Sequence, residues 1–197
     1  MDTLASLTVA DLLDSLASKS PAPGGGAVAG LVGAQAAALA RMVVSYSLGR
    51  KSLAEHQAEL EAIAVQLDNA RGVMLSLADA DADAYAGLNA LWGSKSEKPG
   101  EFEAAVRRAI QVPRAVVAAA SDLLRLCEKL TPISNPNLRS DLVAAAVLAY
   151  ASAETASLNV KVNAPQLSDE TDRSRVLAEA DAQLGSMKLL RDRLALP

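Results

Sequence analysis

Between Ser20 and Gly30 the chain reads Ser-Pro-Ala-Pro-Gly-Gly-Gly-Ala-Val-Ala-Gly, and no other stretch of the 197 residues makes so many backbone demands in so little space. Pro21 and Pro23 each remove an N–H donor and push the preceding residue toward extended geometry, so a helix arriving from upstream must stop here. Gly24, Gly25 and Gly26 leave bare backbone N–H groups, and an alanine-rich helical segment follows at once. Within it Gly26, Gly30, Ala34 and Ala38 recur every four residues, and Ala29, Gly33, Ala36 and Ala40 form a neighbouring row. Ridges this smooth let a second helix come unusually close. A rigid turn, naked backbone and a helix N-terminus together suit an anion or a polar ring system.

Close packing of small side chains is also what the composition requires. Aromatic residues make up only 3% of the chain while 51% is hydrophobic, so the core is built mainly from alanine and leucine, which favours helices over sheets. An all-α, single-domain bundle spanning residues 1–197 is expected, with long helices and a central buried alanine-rich one. A net charge of −4 argues against nucleic acid or an anionic membrane as partner. The longest uncharged run, Ser20 to Ala40, leaves roughly 14 helical apolar residues after its prolines and glycines against the about 20 that span a bilayer, so no transmembrane segment is expected. The first residues lack the basic and apolar regions of a signal peptide and Cys127 is the only cysteine, which points to a cytoplasmic protein without disulfides. One cysteine and one histidine, His56, leave no zinc constellation of the usual kind.

Upstream of the turn, Thr8-Val-Ala-Asp11 has capping-box spacing before an apolar face of Leu12, Leu13 and Leu16, predicting a short helix that ends near Ser18. Downstream, Gly49 reads as the C-cap of the glycine-led helix. Arg41, Arg50 and Lys51 suit its dipole, and the Arg50-Lys51 pair beside a bend is also placed to grip a carboxylate. One helix is predicted from Ser52 to about Trp92, because Leu60, Ile63, Leu67, Ala70, Met74, Leu77, Asp81, Ala84 and Leu88 alternate steps of three and four. Asp81 stands where the pattern calls for an apolar residue, so its carboxylate faces the interior or a cleft, whereas Asp79 and Asp83 read as solvent-facing. A carboxylate in apolar surroundings has its pKa pushed up, which suits proton transfer; the structural alternative is a buried Asp satisfied by a helix N-terminus or an arginine.

Trp92 to Gly100 is a polar turn and a candidate lid, after which a helix resumes at Glu101, is kinked at Pro113 and ends near Leu130. Cys127 reads as a core thiol. A loop from Thr131 to Asp141 is predicted to end at Ser140 as N-cap of a nearly all-round buried helix. Asp141 there suits the helix dipole. Asn159 and Asn163 share a face near that helix's end, as caps or as paired amides contacting a ligand. A charged amphipathic helix from about Asp169 to Leu194 reads as an outer or oligomer-facing element. Two familiar motifs fail on context. Gly24 to Ala29 matches G-x-G-x-x-A but follows no strand, and the chain has no Gly-Lys-Ser/Thr phosphate loop. His56 lies on a charged stretch and offers no base for a serine or cysteine nucleophile.

Taken together, Ser20-Pro-Ala-Pro-Gly-Gly-Gly26, Asp81-Ala-Asp-Ala-Tyr85, Asn135-Pro-Asn-Leu-Arg-Ser-Asp141 and Asn159-Val-Lys-Val-Asn163 resemble the cyclodeaminase/cyclohydrolase family. That family includes the C-terminal domain of formiminotransferase-cyclodeaminase and free-standing bacterial methenyltetrahydrofolate cyclohydrolases. The resemblance runs in order over nearly the whole chain. Two positions depart from it: Ala27 stands where the family often has Ser, and Ser134 where Gly is common. It implies an all-helical homodimer acting on a tetrahydrofolate one-carbon adduct without metal or other cofactor. The reaction expected first is the cyclodeaminase one, 5-formiminotetrahydrofolate giving 5,10-methenyltetrahydrofolate and ammonia. The alternatives are 5,10-methenyltetrahydrofolate cyclohydrolase on the same site, or a non-catalytic folate-binding or assembly module. On this reading Asp81 is the proton relay or cation stabiliser and Asp141 the second carboxylate. Ser20, Pro23, Gly24, Gly25 and Gly26 cradle the pterin or glutamyl portion, Asn135, Asn159 and Asn163 position amide-bearing ring edges, and Arg50 or Lys51 meets the glutamate carboxylates.

Overall fold

The computed structural model describes residues 3–195, which form six α-helices and no strand. They are α1 (Val9–Ala17), α2 (Gly25–Ser45), α3 (Gln57–Leu91), α4 (Pro99–Ile133), α5 (Arg139–Asn163) and α6 (Glu170–Leu194). Helix α2 is packed between α3 and α5, α4 closes the bundle against the same two, and α6 lies outside along α5 and α4. The all-α class follows from the sequence as expected.

Small side chains set the spacing. Ala29, Ala36, Ala37 and Ala40 are buried completely or nearly so. A Cβ at Gly30 would lie 2.8 Å from the Met74 carbonyl oxygen and 2.9 Å from the Ala78 nitrogen, so α2 touches the backbone of α3 there. At Gly33 a Cβ would meet the Met74 sulfur at 2.7 Å and the Ser152 hydroxyl at 2.9 Å. That hydroxyl donates to the Ala29 carbonyl at 2.7 Å and ties α5 to α2. The first predicted ridge stops short, since Ala38 is exposed and Ala37 takes its place. Steps of four advance about 40° too far around a helix of 3.6 residues per turn, and a step of three restores the face. Larger side chains fill the remainder: Leu60, Leu67 and Met74 are fully buried, each stabilising by about 1.5–3 kcal/mol relative to exposure.

Several boundaries differ from the sequence reading. Helix α2 ends at Ser45, and Gly49, with φ of 75°, closes the following turn rather than capping the helix. Its N–H donates to Gln57 Oε1 at 2.7 Å. Residues Lys51–His56 form a 3-10 turn in which Leu53 leaves helical geometry, so α3 starts only at Gln57. Helix α4 begins at Pro99, whose missing N–H costs nothing at a first turn, and runs on through Pro113 and Pro132 to Ile133. Helix α5 opens at Arg139 with Leu138 as N-cap, which places Ser140 inside it; Ala144 and Val147 are exposed, so α5 is buried on one side and not all round.

Helix α2 has 21 residues and a single charged one, Arg41. By length and composition both it and the segment Pro136–Gln166 reach what is needed to cross a membrane, with half or more of each apolar window buried inside the bundle. Helix α6 starts on Asp169, whose carboxylate accepts from the Asp172 N–H at 2.8 Å, and is clasped to α4 by Arg107–Asp172, Arg114–Glu179 and Arg193–Glu128. Helix α1, capped by Thr8 as predicted, buries none of its residues, and Val9 and Leu13 are 75% and 58% exposed.

Candidate functional site

Where α2 begins, it lies against the last third of α3 and the C-terminal end of α5. A cleft of about 250 Å³ opens there, lined by Pro21, Ala22, Gly24, Gly25, Gly26, Asp81, Ala82, Tyr85 and Asn159. The turn shapes one wall: Ser20 Oγ donates to the Ala22 carbonyl at 2.7 Å, the Ala22–Pro23 peptide is cis, and Gly24 is the N-cap of α2. Having no side chain, Gly24 cannot accept a hydrogen bond from the first-turn N–H groups, as an N-cap residue usually does. Asp81 supplies the missing acceptor from α3, taking the Ala27 N–H on its carboxylate.

That contact explains Gly26. A Cβ at position 26 would fall under 3.0 Å from both Asp81 carboxylate oxygens and the carbon between them. Only glycine lets the carboxylate reach the helix end. Burial is the larger influence on Asp81 and pushes its pKa above the ordinary 3.8, while the Ala27 N–H pulls the other way. The group is half-buried, acidic and aimed into a cleft with exposed backbone opposite, so it is able to hold a cation or pass a proton. Opposite, Asn159 Nδ2 donates to the Thr155 carbonyl at 3.3 Å, and its side chain lies beside Gly25.

Gly24, Gly25, Gly26, Asp81 and Asn159 are therefore brought together, whereas Ser20 does not line the cleft and turns its hydroxyl onto the Ala22 carbonyl. Pro23 turns toward a neighbouring hollow of about 610 Å³ that it shares with Thr3, Asp79 and Asp83. Asn163, one turn beyond Asn159, lines an adjacent hollow and donates to the Ala109 carbonyl at 3.0 Å. The remaining expected residues lie at the other end of the bundle. Asp141 and Asn159 are on one helix 18 residues apart, about 27 Å at 1.5 Å per residue, so Asp141 is not brought to this cleft within the chain. Arg50 and Lys51 follow the far end of α2, whose 21 residues span about 30 Å. Asn135 is buried at that same end, its N–H donating to Ser47 Oγ at 2.8 Å and its Oδ1 accepting from the Asn137 N–H at 3.1 Å, while Arg50 and Lys51 are exposed. It holds the α4–α5 turn onto the end of α2. Sequence spacing could not tell the two ends apart, since both carry turn residues and polar side chains.

Tyr85 is a cleft residue that had no assigned role. It stands four residues after Asp81 and so shares its face of α3, a signal available from spacing alone. Asp79 was expected in solvent; its carboxylate instead accepts from the Leu4 N–H at 2.8 Å and anchors Leu4 beside the turn. A larger hollow of about 430 Å³ lies between α3 and α4, but its Asp122 is paired with Arg125 at 2.7 Å and it offers no half-buried acid. Among the described residues no group of three or more His, Cys, Asp or Glu side chains is able to hold a metal ion.

Comparison with known proteins shows what the whole chain resembles. The family model described as formiminotransferase-cyclodeaminase matches residues 8–182. A methenyltetrahydrofolate cyclohydrolase of Methylorubrum extorquens is 30% identical over 194 residues, which is 95% of this chain and 93% of that protein. The formimidoyltransferase-cyclodeaminase of Sus scrofa is 30% identical over 188 residues, with the match covering 90% of this chain and 35% of the longer relative. Among solved structures, a formiminotetrahydrofolate cyclodeaminase from Thermotoga maritima superposes with a TM-score of 0.88 at 32% identity, covering 97% of this chain and 96% of that one.

Proposed function

The chain belongs to the formiminotransferase-cyclodeaminase family, and from that premise we propose that it is an enzyme that opens or closes the ring of 5,10-methenyltetrahydrofolate at the Asp81 cleft, acting first as a methenyltetrahydrofolate cyclohydrolase. The observation that carries this is the half-buried Asp81 carboxylate, held by the Ala27 N–H and made accessible by Gly26. In the hydrolytic direction water adds to the methenyl carbon, one of its protons leaves, and the N5–carbon bond breaks to give 10-formyltetrahydrofolate. Asp81 takes the water proton and returns it to N5 as that bond opens. Before the attack, its negative charge stabilises the methenyl cation. The backbone of Gly24 to Gly26 and the amide of Asn159 meet the polar edge of the pterin and hold the reacting carbon near Asp81.

Cyclodeamination is the second reading, supported by the Thermotoga maritima relative. It needs the same relay, with N10 attacking the carbon of the protonated formimino group, C=NH2+, and the N10 proton passing to that nitrogen, which departs as ammonia and leaves the methenyl cation. In this proposal neither route uses a cofactor. Incubating the purified protein with 5,10-methenyltetrahydrofolate and, separately, with 5-formiminotetrahydrofolate tests both, following methenyl absorbance and ammonia release. Loss of methenyl absorbance above the spontaneous rate is the expected result, and ammonia release from the second substrate reverses the order of the two readings. Activity on neither removes the catalytic proposal.

A homodimer belongs to the same proposal. The apolar face of α1 with Val9 and Leu13 exposed is what a second copy would cover, and α1 leads directly into the Ser20–Gly26 wall. Val9→Glu with Leu13→Glu is expected to lower the mass measured by light scattering to that of one chain; an unchanged mass would place the contact elsewhere.

A further inference from the structure

Asp81 accounts for one end of a longer depression. Tyr85 is also part of the wall of a second hollow of about 270 Å³, formed by Leu88, Asn89, Trp92, Val162, Asn163 and Gln166. Neither hollow alone reaches the about 300–1,000 Å³ typical of sites for ligands of this size, but joined past the Tyr85 ring they do. Their contents differ. The Asp81 end is polar backbone and carboxylate, whereas the second hollow presents exposed apolar surface: Tyr85 is 45%, Trp92 53% and Val162 72% exposed. Apolar side chains gathered in one groove beside amide groups suit an aromatic ring carrying amide substituents.

At the far edge of this hollow sits Lys95. Its ammonium is 3.2 Å from Gln166 Oε1 and 4.9 Å above the Phe102 ring, and among the described residues it has no carboxylate partner. Three cations on the flanking helices are paired instead: Lys98 with Glu101, Lys161 with Asp181, and Arg107 with Glu103 and Asp172. Trp92 is held edge-on against Phe102 with ring centroids 5.6 Å apart, so the aromatic wall and the lysine are fixed by the same residue.

We propose that the second hollow holds the p-aminobenzoyl-glutamate half of the substrate, with the aryl ring between Tyr85 and Trp92, the amide near Asn163, and the glutamate carboxylates on Lys95. This rests on the folate reading of the Asp81 cleft and extends it. It moves the tail-binding role from Arg50 and Lys51, at the opposite end of the bundle, to Lys95.

Two measurements test it. The first compares KM and kcat of the wild type, Lys95→Ala and Arg50→Ala/Lys51→Ala, using the one-carbon folate that the protein turns over and the matching pteroate lacking glutamate. Lys95→Ala is expected to raise KM about fivefold for the glutamyl substrate, the size of a solvent-exposed ion pair, with kcat unchanged. Its KM for the pteroate is expected to stay at the wild-type value, and the Arg50/Lys51 variant to behave as wild type throughout. The second uses Trp92, the only tryptophan in the chain, as a reporter: p-aminobenzoyl-glutamate, which has no pterin, is expected to quench its emission saturably, more weakly in Lys95→Ala. Turnover with an unmoved KM in Lys95→Ala and unquenched Trp92 would overturn this assignment and leave the catalytic proposal standing. Equal KM defects on both substrates would also overturn it. Saturable, Lys95-dependent quenching in a protein that turns over neither folate would support the groove and remove the catalytic proposal instead.

Discussion

Gly26→Ala separates a glycine needed for chemistry from glycines needed for packing, because three glycines of α2 face different obstacles. The added methyl group at position 26 would lie under 3.0 Å from three terminal atoms of Asp81, which are the atoms nearest to it. A side chain can swing away, so the fold accommodates the change while the carboxylate leaves its place over Ala27. Replacing glycine by alanine within a helix gains up to about 1 kcal/mol in propensity. Loss of the capping contact costs about 1 kcal/mol, so the net change in stability is small. Turnover is expected to fall about 100-fold, since a displacement of roughly 1 Å at a reacting group is enough for that. Gly30→Ala is the control. Its methyl group would press on the Met74 carbonyl and the Ala78 nitrogen at 2.8 and 2.9 Å, and the α3 backbone cannot rotate aside. Overpacking of that kind costs about 1–3 kcal/mol. For a chain of this length that is a drop in Tm of about 2–12 °C. Thermal melts followed by circular dichroism and initial rates at saturating substrate, measured on both variants, decide the matter. A Gly26→Ala protein with wild-type kcat would refute the role given to the Asp81 orientation, and one that melts as early as Gly30→Ala would show that Gly26 is a packing residue as well.

Asp81→Asn keeps an oxygen to accept from Ala27 but cannot relay a proton, so a loss of about 10²–10⁴ in kcat is expected with folding intact. Because burial raises the Asp81 pKa in the folded chain above the unfolded 3.8, ionising it costs stability as pH rises from that value through the raised one, and the cost persists at neutral pH. The Asn variant is therefore expected to melt at or above the wild-type temperature at pH 7, with any advantage vanishing below pH 3.8; a lower melting temperature at pH 7 would contradict this sign. Asp141→Asn is expected to hold kcat within about threefold, given its distance of some 27 Å along α5, and a hundredfold loss would mean that a second copy brings Asp141 to the cleft. Burial pushes the Cys127 thiol up to about 12, so iodoacetamide is expected to leave the native protein unmodified and to label it only after unfolding, as mass spectrometry would record.

Helical periodicity was enough to place Asp81. The three- and four-residue steps that bury Leu60, Leu67, Met74 and Leu88 also set the face on which Asp81 lies, so its inward direction was readable from spacing. The turn before Gly26 was legible for a different reason, since prolines and glycines restrict a backbone whatever surrounds it. What spacing could not supply was the end of the bundle each loop would join. Asn135 and Asp141 stand in a loop as dense in turn formers as Ser20 to Gly26, yet the antiparallel run of α4 and α5 carries them to the Ser47 end of α2. Boundaries failed where tertiary contacts outweighed local preference: Pro132 stays helical on a well-packed turn, and Leu53 breaks the helix expected from Ser52.

Asp79, Asp81 and Asp83 show how much two residues along a helix can alter a carboxylate's role. Each step turns about 200° around α3, so Asp83 is exposed, Asp81 meets the start of α2, and Asp79 meets the Leu4 N–H at 2.8 Å. The last contact fixes Leu4 beside Ala22 and Pro23, which share a hollow with Thr3, Leu4 and Asp79. Asp79 thus acts on the glycine turn from behind and does not touch the cleft. A part-buried hydrogen bond of this kind is worth about 0.5–1.5 kcal/mol, too little to unfold the bundle but enough to loosen the Ser20–Gly26 wall. Asp79→Ala is therefore expected to raise KM several-fold while kcat stays near wild type, because Asp81 keeps its contact with Ala27 and only the binding wall is disturbed. A fall in kcat at unchanged KM would show instead that Asp79 takes part in the chemistry, and no change in either would show that the turn holds its shape without the tether.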